Sequence, residues 1–210
     1  MQNLSTPKWL EYRQYTIDRI HNATVEWEPY WHVHLQDVYH PELFEHINKQ
    51  WPDFDSVLGV HENRPELNKN RRYVIPNRDD LPFWKQFNDN IIEHADVIDA
   101  VYTLEQLNRA DCTWVTASIW EDYRGYGIGN HYDAHTIDVA WQTYIYCDGG
   151  EHWGTSLNNA AGELQKRISF VPNSGWIMNV DCFSWHSADT IECDMRRSVM
   201  VRFMTRTRSG

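Results

Sequence analysis

Two residue types that bind transition metals stand two apart in His131-Tyr132-Asp133. Alternate side chains of an extended strand share a face, so this imidazole and carboxylate can close on one ion. His186, some fifty residues on in Phe183-Ser-Trp-His186, adds a second imidazole if its strand lies beside the first. Two imidazoles and a carboxylate on one face of an ion, with the opposite positions open, suit ferrous iron. Structural zinc takes four protein donors, commonly cysteines. Ten residues beyond His186 comes Arg196-Arg197-Ser198. Arg196 and Ser198 share one strand face, whereas Arg197 aligns with Val199, Val201 and Phe203. A guanidinium is a planar, two-pronged donor for a carboxylate. His135 extends the face of His131 and Asp133, but four residues of strand span about 13 Å. It is therefore read as a pocket residue. His32-Val-His34 is read as one polar face of a strand.

The chain ahead of these residues reads as helical. Residues 1–25 carry a helical pattern, with Trp9, Leu10, Tyr12, Tyr15, Ile17 and Ile20 among polar residues, and 81–107 repeat it with Phe83, Trp84, Phe87, Ile91, Ile92, Ala95 and Ile98. Between them, 30–39 predict an aromatic, β-branched strand. His40-Pro41-Glu42 opens a helix that ends by Trp51-Pro52, since proline suits a first helical turn. Residues 53–77, rich in charges and turn formers, are expected to be a long loop. After Asp111 the pattern switches to short extended runs at 113–120, 130–138, 140–147, 166–171, 175–180 and 196–204. The fold class predicted is mainly β with flanking helices (α+β), the helices packed on one face of a sandwich or barrel. One domain over 1–210 is expected, 1–107 forming a support and substrate-selecting half and 112–206 the core.

Residues 112–206 resemble the 2-oxoglutarate/Fe(II)-dependent oxygenase superfamily, in the compact form of its prolyl-hydroxylase-like and phage-encoded members. The resemblance is carried by Tyr123 and Tyr126 before His131-Tyr132-Asp133, the strand Trp141–Tyr146, and Trp153-Gly154 with Leu157. Phe183-Ser-Trp-His186 and Arg196-Arg-Ser198-Val-Met-Val-Arg-Phe203 complete it. The match implies a double-stranded β-helix (jelly-roll) with iron between its sheets, held by His131, Asp133 and His186. It also implies 2-oxoglutarate as co-substrate and O2 as oxidant. Arg196 takes the distal carboxylate of 2-oxoglutarate, with Ser198 beside it and Arg197 as the fallback. Tyr123 and Tyr144 are the tyrosines expected to reach the co-substrate, Tyr146 being the alternative to Tyr144. Asp133 stands where related halogenases leave room for chloride, so hydroxylation is the implied outcome. After the tryptophan this chain reads Gly154-Thr-Ser-Leu157 in place of the usual Gly-Gly-X-Leu.

Composition narrows the partners. A formal charge of −11 disfavours a nucleic-acid surface, which needs clustered cations. Five arginines crowd the tail (Arg196, Arg197, Arg202, Arg206, Arg208); beyond the pair read into the site, they are expected to balance an acidic body. No apolar run is long enough to cross a bilayer, and the start lacks the features of a signal peptide, so a soluble, cytoplasmic protein is expected. Four cysteines form no C-x-x-C pair, which suggests neither a zinc knuckle nor a disulfide framework. The function expected is hydroxylation of a prolyl or other peptide residue, with release of succinate and CO2. A small molecule is the next substrate class and a nucleobase the third. The 53–77 loop, the Gly125–Asn130 approach and the 148–166 segment with Trp153, Asn158 and Asn159 are expected to choose among them. Eleven Trp and eleven Tyr would equally suit a non-catalytic jelly-roll module holding a sugar or peptide. A zinc hydrolase is the weaker enzymatic alternative, with no evident general base beside the triad.

Overall fold

The computed structural model describes residues 4–62, 70–105, 112–149 and 154–205. Trp153, the centre of the expected 53–77 loop, Arg206 and Arg208 lie outside the described residues. Among the described residues no helix is long and apolar enough to cross a membrane.

Two antiparallel sheets face each other. The larger has eight strands in the order β1-β2-β10-β7-β12-β5-β4-β3, and the smaller four in the order β6-β11-β8-β9. In chain order the strands are β1 (Val25–Glu26), β2 (His32–Leu35), β3 (His61–Glu62), β4 (Arg71–Val74), β5 (Cys112–Tyr123) and β6 (Ile128–His131). They continue with β7 (Ile137–Cys147), β8 (Thr155–Asn158), β9 (Leu164–Ile168), β10 (Gly175–Asn179), β11 (His186–Ala188) and β12 (Met195–Thr205). This is the mainly β, helix-flanked jelly-roll that the sequence predicts.

The larger sheet is buried on both faces, which is why its central strands read as long apolar runs. One face of β12 carries Val199, Val201 and Phe203, packed with Val139 and Trp141 of β7 against the helices. Those helices are α1 (Thr6–His21), α2 (Pro41–Lys49), α3 (Pro82–Phe87) and α4 (Ala95–Glu105). Helix α1 has Pro7 in its first turn and turns Trp9, Tyr12, Ile17 and Ile20 inward. Helix α2 is capped by His40, whose Nδ1 accepts from the Glu42 backbone N–H at 3.3 Å. The opposite face packs Trp120, Tyr144, Trp176 and Met200 against Leu157 and Ile168 of the smaller sheet.

Four expectations about the elements are corrected. The 53–77 stretch contains β3 and β4; Arg71 and Val74 are buried, and β4 pairs with β5. The 81–107 helix is broken by a π-helical turn at Asn88–Ile92, closed by the Glu93 N–H on the Asn88 carbonyl at 2.8 Å. The 130–138 strand ends at His131, and a turn closed by Ile137 N–H on the Ala134 carbonyl starts β7. Thr155–Asn158, too polar to read as apolar alternation, is strand β8. Gly154 sits where a Cβ would lie 1.7 Å from the Ile168 carbonyl oxygen, so only glycine allows the approach that begins β8.

Candidate metal and co-substrate site

His131 ends β6 and faces His186 of β11 directly across the ladder, with ring centroids 4.3 Å apart. Each imidazole is held by the carbonyl two residues before it: His131 Nδ1 lies 2.8 Å from the Gly129 oxygen and His186 Nδ1 lies 2.9 Å from the Ser184 oxygen. A carbonyl only accepts, so both Nδ1 atoms carry the proton and both Nε2 lone pairs are left free. Asp133, just past the strand end, brings Oδ1 to 4.0 Å from His131 Nε2. One donor atom from each of the three residues lies within 4.8 Å of the others. Burial lowers the affinity of His186 for a proton, against the pull of Asp133, and favours the neutral imidazole that a metal needs. The three residues thus meet the demands of a facial metal site. They do so from a strand end and a turn, not from one continuous strand.

The cavity of about 100 Å³ beside them runs inward along the larger sheet. At its inner end a row of paired residues crosses three strands: Arg71, Asp122 and Arg196. Arg71 donates Nε and Nη2 to the two Asp122 oxygens at 2.5 and 2.9 Å, and Arg196 donates Nε to Oδ2 at 2.9 Å. Burial alone would push the Asp122 carboxyl up, but the two guanidiniums outweigh it and hold it below the usual aspartate range. The Tyr126 ring lies 4.1 Å from the Arg71 guanidinium and 5.5 Å from that of Arg196. Burial pushes its hydroxyl up to about 12.

Arg196 lines this cavity and Arg197 does not. Arg197 turns to the other face, donates to Glu121 at 3.1 Å, and lies over the rings of Trp51 and Tyr146. Ser198 is fully buried one step along from Arg196 and accepts from Gln142 Nε2 at 3.1 Å. Tyr144 is buried, and Tyr146 is 40% exposed. The Tyr144 hydroxyl is 2.8 Å from Thr155 Oγ1 and accepts from Trp176 Nε1 at 3.1 Å; Thr155 and Trp176 line the cavity. Burial pushes the Tyr144 hydroxyl up to about 12.

Tyr123 requires correction. Its hydroxyl donates to Glu121 at 2.6 Å, and the cavity is lined instead by Tyr126, three residues later. Strand β5 ends at Tyr123, and the turn closed by Tyr126 N–H on the Tyr123 carbonyl swings Tyr126 inward. Arg71 and Arg202 also line the cavity, which the sequence reading does not anticipate. Arg71 belongs to the 53–77 stretch expected to be loop, and Arg202 is expected to balance charge, although it shares the alternation of Arg196, Ser198 and Met200. His135 faces a separate cavity with Asp138 and Asp181. His32 and His34 share one face of β2, as expected; His32 is fully buried, and its Nε2 and that of His34 are without hydrogen-bond partners. A second donor cluster, Cys147, Asp148 and Cys193, has its two sulfurs 3.4 Å apart.

The fold is that of solved 2-oxoglutarate/Fe(II) oxygenases. A Pseudomonas putida prolyl-4-hydroxylase superposes with a TM-score of 0.62 at 10% identity, over 91% of this chain and 97% of that one. A Burkholderia pseudomallei oxidoreductase of the 2OG-Fe(II) oxygenase family gives 0.59 at 12% identity, covering 84% and 86%. A Trichoplax adhaerens prolyl hydroxylase, solved with a hypoxia inducible factor peptide fragment, gives 0.57 at 11% identity, covering 97% and 94%. No family model matches the sequence, and no curated protein matches it.

Proposed function

We propose that this chain is a 2-oxoglutarate- and O2-dependent Fe(II) oxygenase that hydroxylates an organic substrate. The observation that carries the reading is the convergence of His131, Asp133 and His186 at one cavity whose inner end is lined by Arg196. His131 and His186 would hold the metal through Nε2, their Nδ1 protons locked on backbone carbonyls. Asp133 would supply the anionic donor. Iron bound there, with 2-oxoglutarate and O2, supplies oxidative decarboxylation to succinate and CO2 and insertion of oxygen into a C–H bond. Arg196 would receive the distal carboxylate of 2-oxoglutarate, with Arg71 beside it. Asp122 neutralises one of these two charges, which leaves one positive charge for the incoming carboxylate. Ser198 and Tyr144 do not line the cavity and would act from behind its wall, through Gln142 and Thr155. Ser198 is buried along the same strand, and Tyr144 fixes the hydroxyl of Thr155. Trp120, Trp176 and Met200 keep that end apolar, which strengthens the ion pairing.

Prolyl or other peptide residues are the first substrates to screen, since two of the solved structures with this fold are prolyl hydroxylases. The test is anaerobic addition of Fe(II) and 2-oxoglutarate, watched for the weak visible charge-transfer band of the chelate. Wild type should give the band and His186→Ala should not. Its absence from metal-replete wild type would overturn the reading.

A further inference from the structure

With a divalent metal bound, the cavity's three arginines and the ion outweigh by one charge Asp122, Asp133 and the two carboxylates of 2-oxoglutarate. The arginines are Arg71, Arg196 and Arg202. The first two share Asp122, and Arg197 on the opposite face has Glu121. Arg202 forms an ion pair with no described carboxylate; its guanidinium lies 5.2 Å from the centre of the Trp120 ring. Burial disfavours its charge, and the anion that acts on it most is Asp133. Metal bound by Asp133 would take up that charge. Arg202 would then be a largely desolvated cation with no counter-ion of its own. Such a group is costly unless an anion arrives.

The position of Arg202 on the strand separates its task from that of Arg196. Both point into the cavity from β12, with Ser198 and Met200 between them on the same face. Arg196 pairs in register with Asp122 and Cys147, at the end where Asp122 gathers two arginines. Arg202 pairs with Thr116 and Ala140, six residues along, roughly 20 Å of strand. The two side chains converge on the cavity from opposite ends. Asp133 acts electrostatically on Arg202, and the ion pair with Asp122 belongs to Arg196. The distal carboxylate of a bound 2-oxoglutarate cannot serve both, and its other carboxylate would be neutralised, with Asp133, by the divalent metal.

We infer that Arg202 is a specificity residue that receives an oxyanion, carboxylate or phosphate, carried by the primary substrate on the metal side of the cavity. This rests on the oxygenase reading and adds the substrate class to it: an anionic molecule, or a peptide presenting an acidic group beside the oxidised carbon. A guanidinium fits either oxyanion through paired N–H donors.

The test is calorimetry on full-length protein loaded with Mn(II), which binds in place of Fe(II) without turnover, and saturated with 2-oxoglutarate. The probes are N-acetylglycine, methyl phosphate and the neutral N-acetylglycinamide. Wild type should bind at least one anionic probe about tenfold or more tightly than the neutral one, and which of the two names the oxyanion. Arg202→Gln should lose the preference while keeping wild-type affinity for 2-oxoglutarate; Arg202→Lys should keep part of it. Equal binding of all three probes by wild type, or an unchanged preference in Arg202→Gln, would overturn the inference. So would a loss of 2-oxoglutarate affinity in Arg202→Gln as large as that in Arg196→Gln, which would make Arg202 a co-substrate residue. Failure of the oxygenase reading shows earlier and separately, as no heat of 2-oxoglutarate binding to metal-loaded wild type, and takes this inference with it.

Discussion

The two faces of β12 do different work with alternate residues of one strand. Toward the helices it presents Val199, Val201 and Phe203, all nearly or fully buried in the larger apolar cluster. Toward the cavity it presents Arg196, Met200 and Arg202, with Ser198 buried on the same face. The first face gains by excluding water from apolar surface. The second holds charge and hydroxyl in a place that water hardly reaches, and every polar atom there must find a partner or a ligand. The contrast teaches that burial on this strand does not separate core from site. The kind of neighbour does, so substitutions on the two faces should fail in different ways.

The largest effect is expected from Phe203→Ala. Phe203 is fully buried and packs edge-on to Tyr102 at 5.9 Å between ring centres. Its truncation should cost roughly 3–5 kcal/mol of unfolding free energy by chemical denaturation. What remains folded should bind metal normally. A loss of metal affinity in that folded fraction would break the division between the faces.

Next is Asp122→Asn on the cavity side. It leaves Arg71 and Arg196 buried around a neutral amide. Breaking a buried pair in this way costs roughly 3 kcal/mol or more. Unlike Phe203→Ala, part of the loss should return when Arg71 is also replaced by Met, since a surplus charge is then removed. A double-mutant cycle checks this, and simple additivity would mean that the row is not one electrostatic unit.

The same carboxylate predicts an acid dependence. Its folded value lies below the ordinary aspartate range because Arg71 and Arg196 outweigh the effect of burial. Its contribution is therefore complete above the unfolded value, near ~3.9, and is lost as pH falls through the lower folded value. Denaturation midpoints measured downward from pH 5 should fall less steeply in Asp122→Asn than in wild type. Parallel curves would mean that other carboxylates control acid unfolding.

These differences also mark what could be read from the chain itself. The outer face of β12 was legible because alternation of Val199, Val201 and Phe203 needs only a period of two. His131, Asp133, His186 and Arg196 were legible as a set because their types and order resemble a known motif, although the strand assumed to align His131 with Asp133 stops at His131. Arg71 was not legible. Its meaning comes from lying opposite Asp122, some fifty residues away, and nothing local distinguishes it from Arg72, which turns outward to Asp55. Tyr126 was displaced by Tyr123 for a similar reason: a turn, not a periodicity, decides which ring enters the cavity. Strand β8 escaped notice because Thr155, Ser156 and Asn158 are buried by hydrogen bonding rather than by hydrophobicity.

Tyr144→Phe gives the smallest effect and the sharpest view of the polar face. The ring stacks on Phe170 at 4.3 Å and should stay in place, so only the hydroxyl is removed. Trp176 Nε1 retains Thr155 Oγ1 at 2.9 Å as an acceptor, which leaves no buried donor orphaned. The stability cost should therefore be about 1 kcal/mol, well below that of Asp122→Asn. Thr155 loses the partner that orients its hydroxyl at the cavity wall. If Thr155 or Tyr144 helps to seat 2-oxoglutarate, its affinity should fall severalfold with the metal still bound. Unchanged co-substrate affinity would confine Tyr144 to packing and place recognition on the arginine side of the cavity alone.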